Sequence, residues 1–275
     1  MGITFVHILR GATMKKALVL TMLAATMMVV VLVSGCTAAG MGKLLTEEKD
    51  FADFKNIDVE GAFQVEIVRS DSYTVTISAD EGVFDYIAVD KDGDTLRIYL
   101  NPRHTFTDFT LRPRNLRAEI TMPSLRGLRL TGASKGTITG FKSSEDLSIE
   151  VSGASYLNLA DIEASDVKFE ISGASKASGA MEADNSEFYV SGASEVELEG
   201  SANNTHISGS GASKINLGEF PLEKADVELS GASEATINVG GRLDCNLTAA
   251  SRLFFHGNPT LDKVHVSGAS TIKHK

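Results

Sequence analysis

The sequence predicts an all-β fold, a right-handed parallel β-helix with coils of about 19–20 residues. Three observations lead to this prediction. A Gly-Ala-Ser tripeptide recurs at nearly constant spacing, its flanks alternate between apolar and polar residues, and no segment after residue 50 has the period of an amphipathic helix.

The tripeptide recurs in steps of 18 to 21 residues. Its seven copies begin at Gly132, Gly153, Gly173, Gly192, Gly211, Gly231 and Gly268. A degenerate copy, Ala249-Ala250-Ser251, fills the gap between the last two. A fixed period of this length indicates coils that bury their apolar face only by stacking on one another.

The flanks of the tripeptide show the alternation of strands with one buried face. The residues four before each glycine are Leu128, Ile149, Phe169, Phe188, Ile207, Val227, Cys245 and Val264. Residues two before it, and four and six after it, are mostly apolar too, and polar residues lie between them. Equivalent residues of successive coils should stack about 4.8 Å apart. The repeat lacks a leucine-rich consensus and a calcium-binding nonapeptide, and a β-sandwich would not keep one tripeptide in phase.

The same template fits the segment from Ile57 to Ile67, so the β-helix should begin near Ile57. We expect one domain over residues 51–275, with irregular N-terminal coils at 51–127 and regular Gly-Ala-Ser coils at 128–275. In the irregular part, Tyr73–Ile77 and Thr95–Leu100 are predicted strands, and Asp92-Gly93-Asp94 is a predicted turn.

Residues 1–35 have the pattern of a bacterial or archaeal lipoprotein signal peptide. Lys15 and Lys16 precede the uncharged apolar run Ala17–Val33, and Val33-Ser34-Gly35-Cys36 resembles a lipobox. We expect lipidation of Cys36, a tether at residues 36–50, and export to the cell envelope, with the lipid as the contact to the membrane. A retained membrane span is the alternative. Met14 is a second candidate for the start of the chain.

The chain resembles the head GIN-domain family, which is also labelled an auto-transporter adhesin head and whose function is unknown. The resemblance covers roughly residues 51–270 and is carried by Phe54, Ile57, Val59 and Gly61 together with the Ser-Gly-Ala-Ser repeats. It implies a β-helical fold on an exported, often lipid-anchored protein. It supplies no catalytic motif to transfer.

Residues at equivalent positions of successive repeats form columns along the stack, and two of these columns have a structural interpretation. The serine column comprises Ser134, Ser155, Ser175, Ser194, Ser213, Ser233, Ser251 and Ser270. These serines and the repeat glycines are expected to face inward, with the hydroxyls bonding along the stack. The charge column alternates in sign through Lys176, Glu195, Lys214, Glu234 and Arg252, which should help to fix the register.

Two outer columns have alternative interpretations. The alanine of each tripeptide and the Ser or Thr before its glycine should form a flat strip of small side chains, inert or self-associating. Seven residues before successive glycines lie Asp146, Asp166, Asn185 and Asn204, which suit corner turns. The same column could hold the carboxylates of a polysaccharide lyase or a calcium site.

The composition excludes some functions and leaves others open. A formal net charge of −10 argues against nucleic acid as a partner, because phosphate binding needs a basic surface. No histidine or cysteine spacing indicates a metal or another cofactor. We expect a non-enzymatic module that binds a glycan or a protein or forms a homo-oligomer. A carbohydrate-active enzyme, either a lyase or a hydrolase, is the alternative.

Overall fold

The computed structural model describes residues 43–101 and 115–275. These residues form the predicted parallel β-helix, a stack of about 7 turns. The strands in them are β1 (Leu44–Glu48), β2 (Asn56–Gly61), β3 (Gln64–Arg69), β4 (Thr74–Asp80), β5 (Ile87–Asp92), β6 (Thr95–Leu100), β7 (Arg117–Met122), β8 (Gly127–Gly132), β9 (Lys135–Thr139), β10 (Leu147–Val151), β11 (Tyr156–Ile171), β12 (Lys176–Val190), β13 (Glu195–Gly209), β14 (Lys214–Leu229), β15 (Glu234–Leu247), β16 (Arg252–His256), β17 (Thr260–Val266) and β18 (Thr271–His274). A short helix, α1 (Glu81–Phe84), follows β4.

The regular coils stack in the register that the repeat predicts. Phe169 of β11 pairs with Phe188 of β12, and Ile207 of β13 pairs with Val227 of β14. The two phenylalanine rings stack with centroids 5.1 Å apart. The apolar columns therefore form one continuous core, and the burial of their side chains is the main stabilising contribution.

The last coil differs from the expectation for its apolar column. Val264 and Val266 are 43% and 39% exposed, whereas Cys245 and Leu247, their equivalents one coil earlier, are buried. The reason is that, within residues 43–101 and 115–275, no further strand pairs beyond β17 to cover them.

The N-terminal coils are not stacked in chain order. The coil of β2 and β3 pairs with β8 and β9 on one side and with β6 and β7 on the other, all in parallel. Beyond them the pairing becomes antiparallel, between β5 and β6, between β4 and β7, and between β1 and β4. The predicted turn at Asp92-Gly93-Asp94 joins β5 to β6.

The segment from Leu44 to Glu48, which falls within the expected tether, is a strand. It is strand β1, and its register with β4 runs from Leu44 opposite Asp80 to Glu48 opposite Thr76. Its backbone covers the free edge of β4, and the half-buried Leu45 packs against the core. The domain boundaries remain predictions.

The signal peptide, the lipobox and Cys36 lie outside the described residues. Within residues 43–101 and 115–275, no helix is long and apolar enough to cross a membrane.

Candidate binding site

The repeat glycines form the tight corner between two faces of the β-helix. Gly153 has φ 80°, and a Cβ atom built on it would lie 2.4 Å from the carbonyl oxygen of Gly132 in the neighbouring coil. Glycine is required here because the backbone is left-handed and the space along the stack is closed. Six of the seven repeat glycines are exposed at the corner and Gly231 is half-buried, so the expectation that they face inward is wrong.

The corner keeps its backbone hydrogen bonds from coil to coil. The N–H of Ala154 donates to Gly132 O at 2.7 Å, and the N–H of Ala193 donates to Gly173 O at 2.8 Å. In the degenerate copy, Ala249 takes the place of glycine and adopts φ 62°, a conformation that strains any residue with a Cβ atom.

The serine column lies inside the corner. Seven of its members are buried: Ser134, Ser155, Ser175, Ser194, Ser213, Ser233 and Ser251. Ser270, in the last coil, is half-buried. The backbone N–H groups of Ser134, Ser155 and Ser175 each donate to the hydroxyl oxygen of the next coil's serine at 3.2 to 3.4 Å. Such repeated bonding gives these side chains a structural role in the corner.

The charge column is stacked, with Lys214 and Arg252 exposed to solvent and the other three members half-buried. Lys176 Nζ lies 3.6 Å from Glu195, Lys214 lies 4.0 Å from Glu195, and Arg252 lies 2.8 Å from Glu234. The shortest contact of Lys176 is with Glu197 at 3.0 Å, and this hydrogen bond lowers the pKa of the Glu197 carboxyl. Exposed pairs of this kind contribute less than about 1 kcal/mol each.

The tripeptide alanines lie outside the same corner. Ala154, Ala174, Ala193, Ala212 and Ala232 are exposed. Of the serines that precede the glycines of these copies, Ser230 is exposed and the other four are half-buried. They form the strip of small side chains that the sequence predicts.

The acidic and amide column forms a hydrogen-bonded ladder. The amide nitrogen of Asn185 donates to Asp166 Oδ1 at 2.7 Å, and that of Asn204 donates to Asn185 Oδ1 at 2.8 Å. Asn204 is followed in the stack by Lys224 and then Arg242. Within residues 43–101 and 115–275, no three His, Cys, Asp or Glu side chains are grouped so that they could hold a metal ion.

This column is one wall of an open groove, which we call the corner groove. The other wall is the outward column two residues later, represented by Lys168, Glu187 and His206. The floor is the inward column between them, which changes from Leu147 and Val167 to the smaller Ser186, Thr205 and Ala225. One section of the groove has a volume of about 730 Å³ and the next about 270 Å³.

Several charges in the corner groove are already paired. Arg126 makes two hydrogen bonds to the carboxylate of Glu145, at 2.7 and 3.0 Å, which hold the pKa of that carboxyl below its usual value. His206 lies 3.4 Å from Asp226, and Arg242 lies 2.7 Å from the buried Asp244. Pairing leaves the groove polar without a large excess of either charge.

Sequence reasoning identified the wall of Asp166, Asn185 and Asn204 but not the opposite wall. The alternation places both columns outward, but it does not show that the surface between them is a groove. The small floor residues Ser186 and Thr205, which break an otherwise apolar inward column, are the signal that could have indicated the groove.

Comparison with solved structures agrees with the fold. A crystal structure of a "putative adhesin" from Parabacteroides distasonis has a TM-score of 0.75 and 17% identity, covering 85% of this chain and 98% of the other. One from Parabacteroides merdae has a TM-score of 0.71 and 17% identity, covering 86% and 98%. A "putative lipid binding protein" from Parabacteroides distasonis has a TM-score of 0.69 and 18% identity, covering 85% and 97%.

Comparison with curated proteins finds no match. The sequence profile of the family described as "Putative auto-transporter adhesin, head GIN domain" matches residues 53–259, which is most of the chain. The protein belongs to the head GIN-domain family.

Proposed function

We propose that this protein is a lipid-anchored protein of the cell envelope that acts as a non-enzymatic binding, adhesin-like or structural module. One observation carries the proposal: the polar surface is repetitive. Asp166, Asn185 and Asn204 repeat the same contact in successive coils, whereas an active site needs one singular arrangement of acid, base or nucleophile. The family description and the neighbours named as adhesins support an exported, adhesin-like role.

The anchor rests on the lipobox around Cys36, whose thiol would receive the lipid. We expect Cys36→Ser to leave an uncleaved precursor, because the processing signal includes the modified cysteine. Metabolic labelling with a radioactive fatty acid, together with the mass of the protein from membranes, tests this. A Cys36→Ser protein of mature size, released without detergent, would contradict the anchor, and Cys245→Ser is the matched control because Cys245 is buried.

The alternative is a carbohydrate-active enzyme, and the corner groove gives it one specific argument. Glu145, Asp146 and Asp166 line the same section as Arg126 and Lys168. A glycosidase acid needs a raised pKa, however, whereas the pKa of Glu145 is lowered by its hydrogen bonds to Arg126. Asp166 accepts a hydrogen bond from Asn185 and continues the ladder.

A screen of the full chain in detergent against polysaccharides separates the two functions. We expect no chain shortening and no unsaturated sugar products, with or without Ca²⁺. Products that disappear in the double variant Asp146→Asn and Asp166→Asn would establish the enzyme and end the proposal.

A further inference from the structure

We infer that the corner groove binds a neutral, linear glycan whose chain runs parallel to the axis of the β-helix. The inference rests on the proposed function, because it names the ligand class of a non-enzymatic binding module. It is carried by the length of the groove, the pairing of its charges and the polar character of both walls.

The groove is continuous over many coils. Asn185 and Glu187 line both of its first two sections, and Asp226 lines both the second section and a third, which reaches His265. Coils are spaced by about 4.8 Å, so a path from Arg126 to Asp244 extends over roughly 30 Å. Such a shape suits a linear polymer better than a compact small molecule.

The chemistry of the walls favours hydroxyl groups over charged or apolar ligands. Carboxylates and amide oxygens accept hydrogen bonds, while the Asn185 and Asn204 amides and Lys168 donate them. A polyanion would meet a chain with a net charge of −10, and the groove has no excess of cations to offset it. An acidic or phosphate-bearing polymer is therefore disfavoured.

The floor disfavours an extended peptide. Peptide strands bind through apolar pockets and free backbone groups at a sheet edge. Here the backbone of β12 is already paired on both sides with β11 and β13. In the middle of the groove the floor is Ser186 and Thr205, whose buried hydroxyls are 2.8 Å apart and bonded to each other.

Tyr189 holds part of one wall in place. Its hydroxyl donates to Glu187 at 3.1 Å, and its ring lies 5.7 Å from the ring of His206 and 5.4 Å from Lys168 Nζ. Side chains that are already held lose less conformational entropy when a ligand binds. Tyr189 is thus a positioning residue for the wall opposite the amide ladder.

Binding of cellohexaose, N-acetylchitohexaose, mannohexaose and laminarihexaose to the full chain in detergent tests the inference by calorimetry. We expect at least one of these neutral hexasaccharides to bind and the double variant Asn185→Ala and Asn204→Ala to bind it at least tenfold more weakly. The matched control is Glu197→Ala with Asn216→Ala, paired residues on another face, which should bind as the wild type does. Thermal melts of both double variants verify that each is folded.

The outcomes separate this inference from the proposed function. Failure of all four sugars to bind, or equal weakening in both folded double variants, overturns the glycan site, as does binding only of a heparin hexasaccharide or of an extended peptide. Attachment of the protein to cells that persists in the groove variant would then leave the proposed function standing. Groove-dependent binding followed by cleavage would support the site and end the non-enzymatic function.

Discussion

The glycine corner permits a sharp test of the stacking, because the chain contains both the favourable and the strained residue at equivalent positions. Gly192→Ala would place a Cβ atom 2.4 Å from Gly173 O, at a position with φ 74°. A left-handed conformation costs a residue with a Cβ atom about 1–2 kcal/mol. The clash also displaces the hydrogen bond from the Ala193 N–H to Gly173 O, which is worth about 1 kcal/mol.

The two contributions give a loss of about 2–3 kcal/mol in the free energy of unfolding. In a domain of this size, we expect Tm to fall by roughly 4–12 °C. The reverse change, Ala249→Gly, relieves the strain at φ 62° and should raise Tm by about 2–4 °C, after allowing for the greater freedom of glycine in the unfolded chain.

Thermal unfolding followed by circular dichroism at a β-sheet wavelength measures both shifts. Ala250→Gly is the matched control, because Ala250 is the exposed neighbour of Ala249 and its φ is not positive. It should lower Tm slightly. A Gly192→Ala protein that melts within about 1 °C of the wild type, or a lower Tm in Ala249→Gly, would refute the reasoning about the corner.

Three further predictions concern the core, the groove and the small-residue strip. Val190→Asp should lower the free energy of unfolding by several kcal/mol, because it buries an unpaired charge, whereas Glu197→Ala should change it by less than about 1 kcal/mol; equal denaturant midpoints would contradict the register. The ionised Glu145 stabilises the fold at pH values above its unfolded pKa of about 4.3, and this contribution is lost as the pH falls through its lower folded pKa. Glu145→Gln should therefore flatten the decrease in Tm on acidification. An unchanged dependence of Tm on pH would contradict the ion pair with Arg126. If the strip mediates self-association, Ala193→Arg with Ala212→Arg should abolish oligomers in light scattering at an unchanged Tm, and a wild type that is monomeric would end that idea.

The regular part of the fold was predictable from the sequence because a parallel stack repeats each environment at a fixed interval. Phe169 and Phe188 occupy one column because their backbones pair, so a spacing in the sequence translates directly into a contact. In the N-terminal coils, the spacing of residues in the sequence does not predict which strands are in contact. The coil of β2 and β3 lies between two later coils, and no local pattern encodes a return of the chain to its other side.

The site was less predictable than the fold for a related reason. Columns assign side chains to the inside or the outside, but they do not give the curvature of the outer surface. The ladder of Asp166, Asn185 and Asn204 was visible as a column, whereas the groove that it forms with Glu187 and His206 was not. The expectation that the repeat glycines face inward failed for a similar reason, because a residue in the left-handed conformation breaks the alternation of inward and outward positions along a strand.

The most direct test of a non-enzymatic binding module follows a glycan through binding and release. The full chain in detergent is incubated with the best-bound neutral hexasaccharide for far longer than binding needs to reach equilibrium. The sugar is then recovered and its mass is measured. We expect the wild type to retain the hexasaccharide and the variant Asn185→Ala with Asn204→Ala to release it, and we expect the recovered sugar to be intact. Recovery of shorter or unsaturated products, absent in the variant Asp146→Asn with Asp166→Asn, would contradict a non-enzymatic binding module.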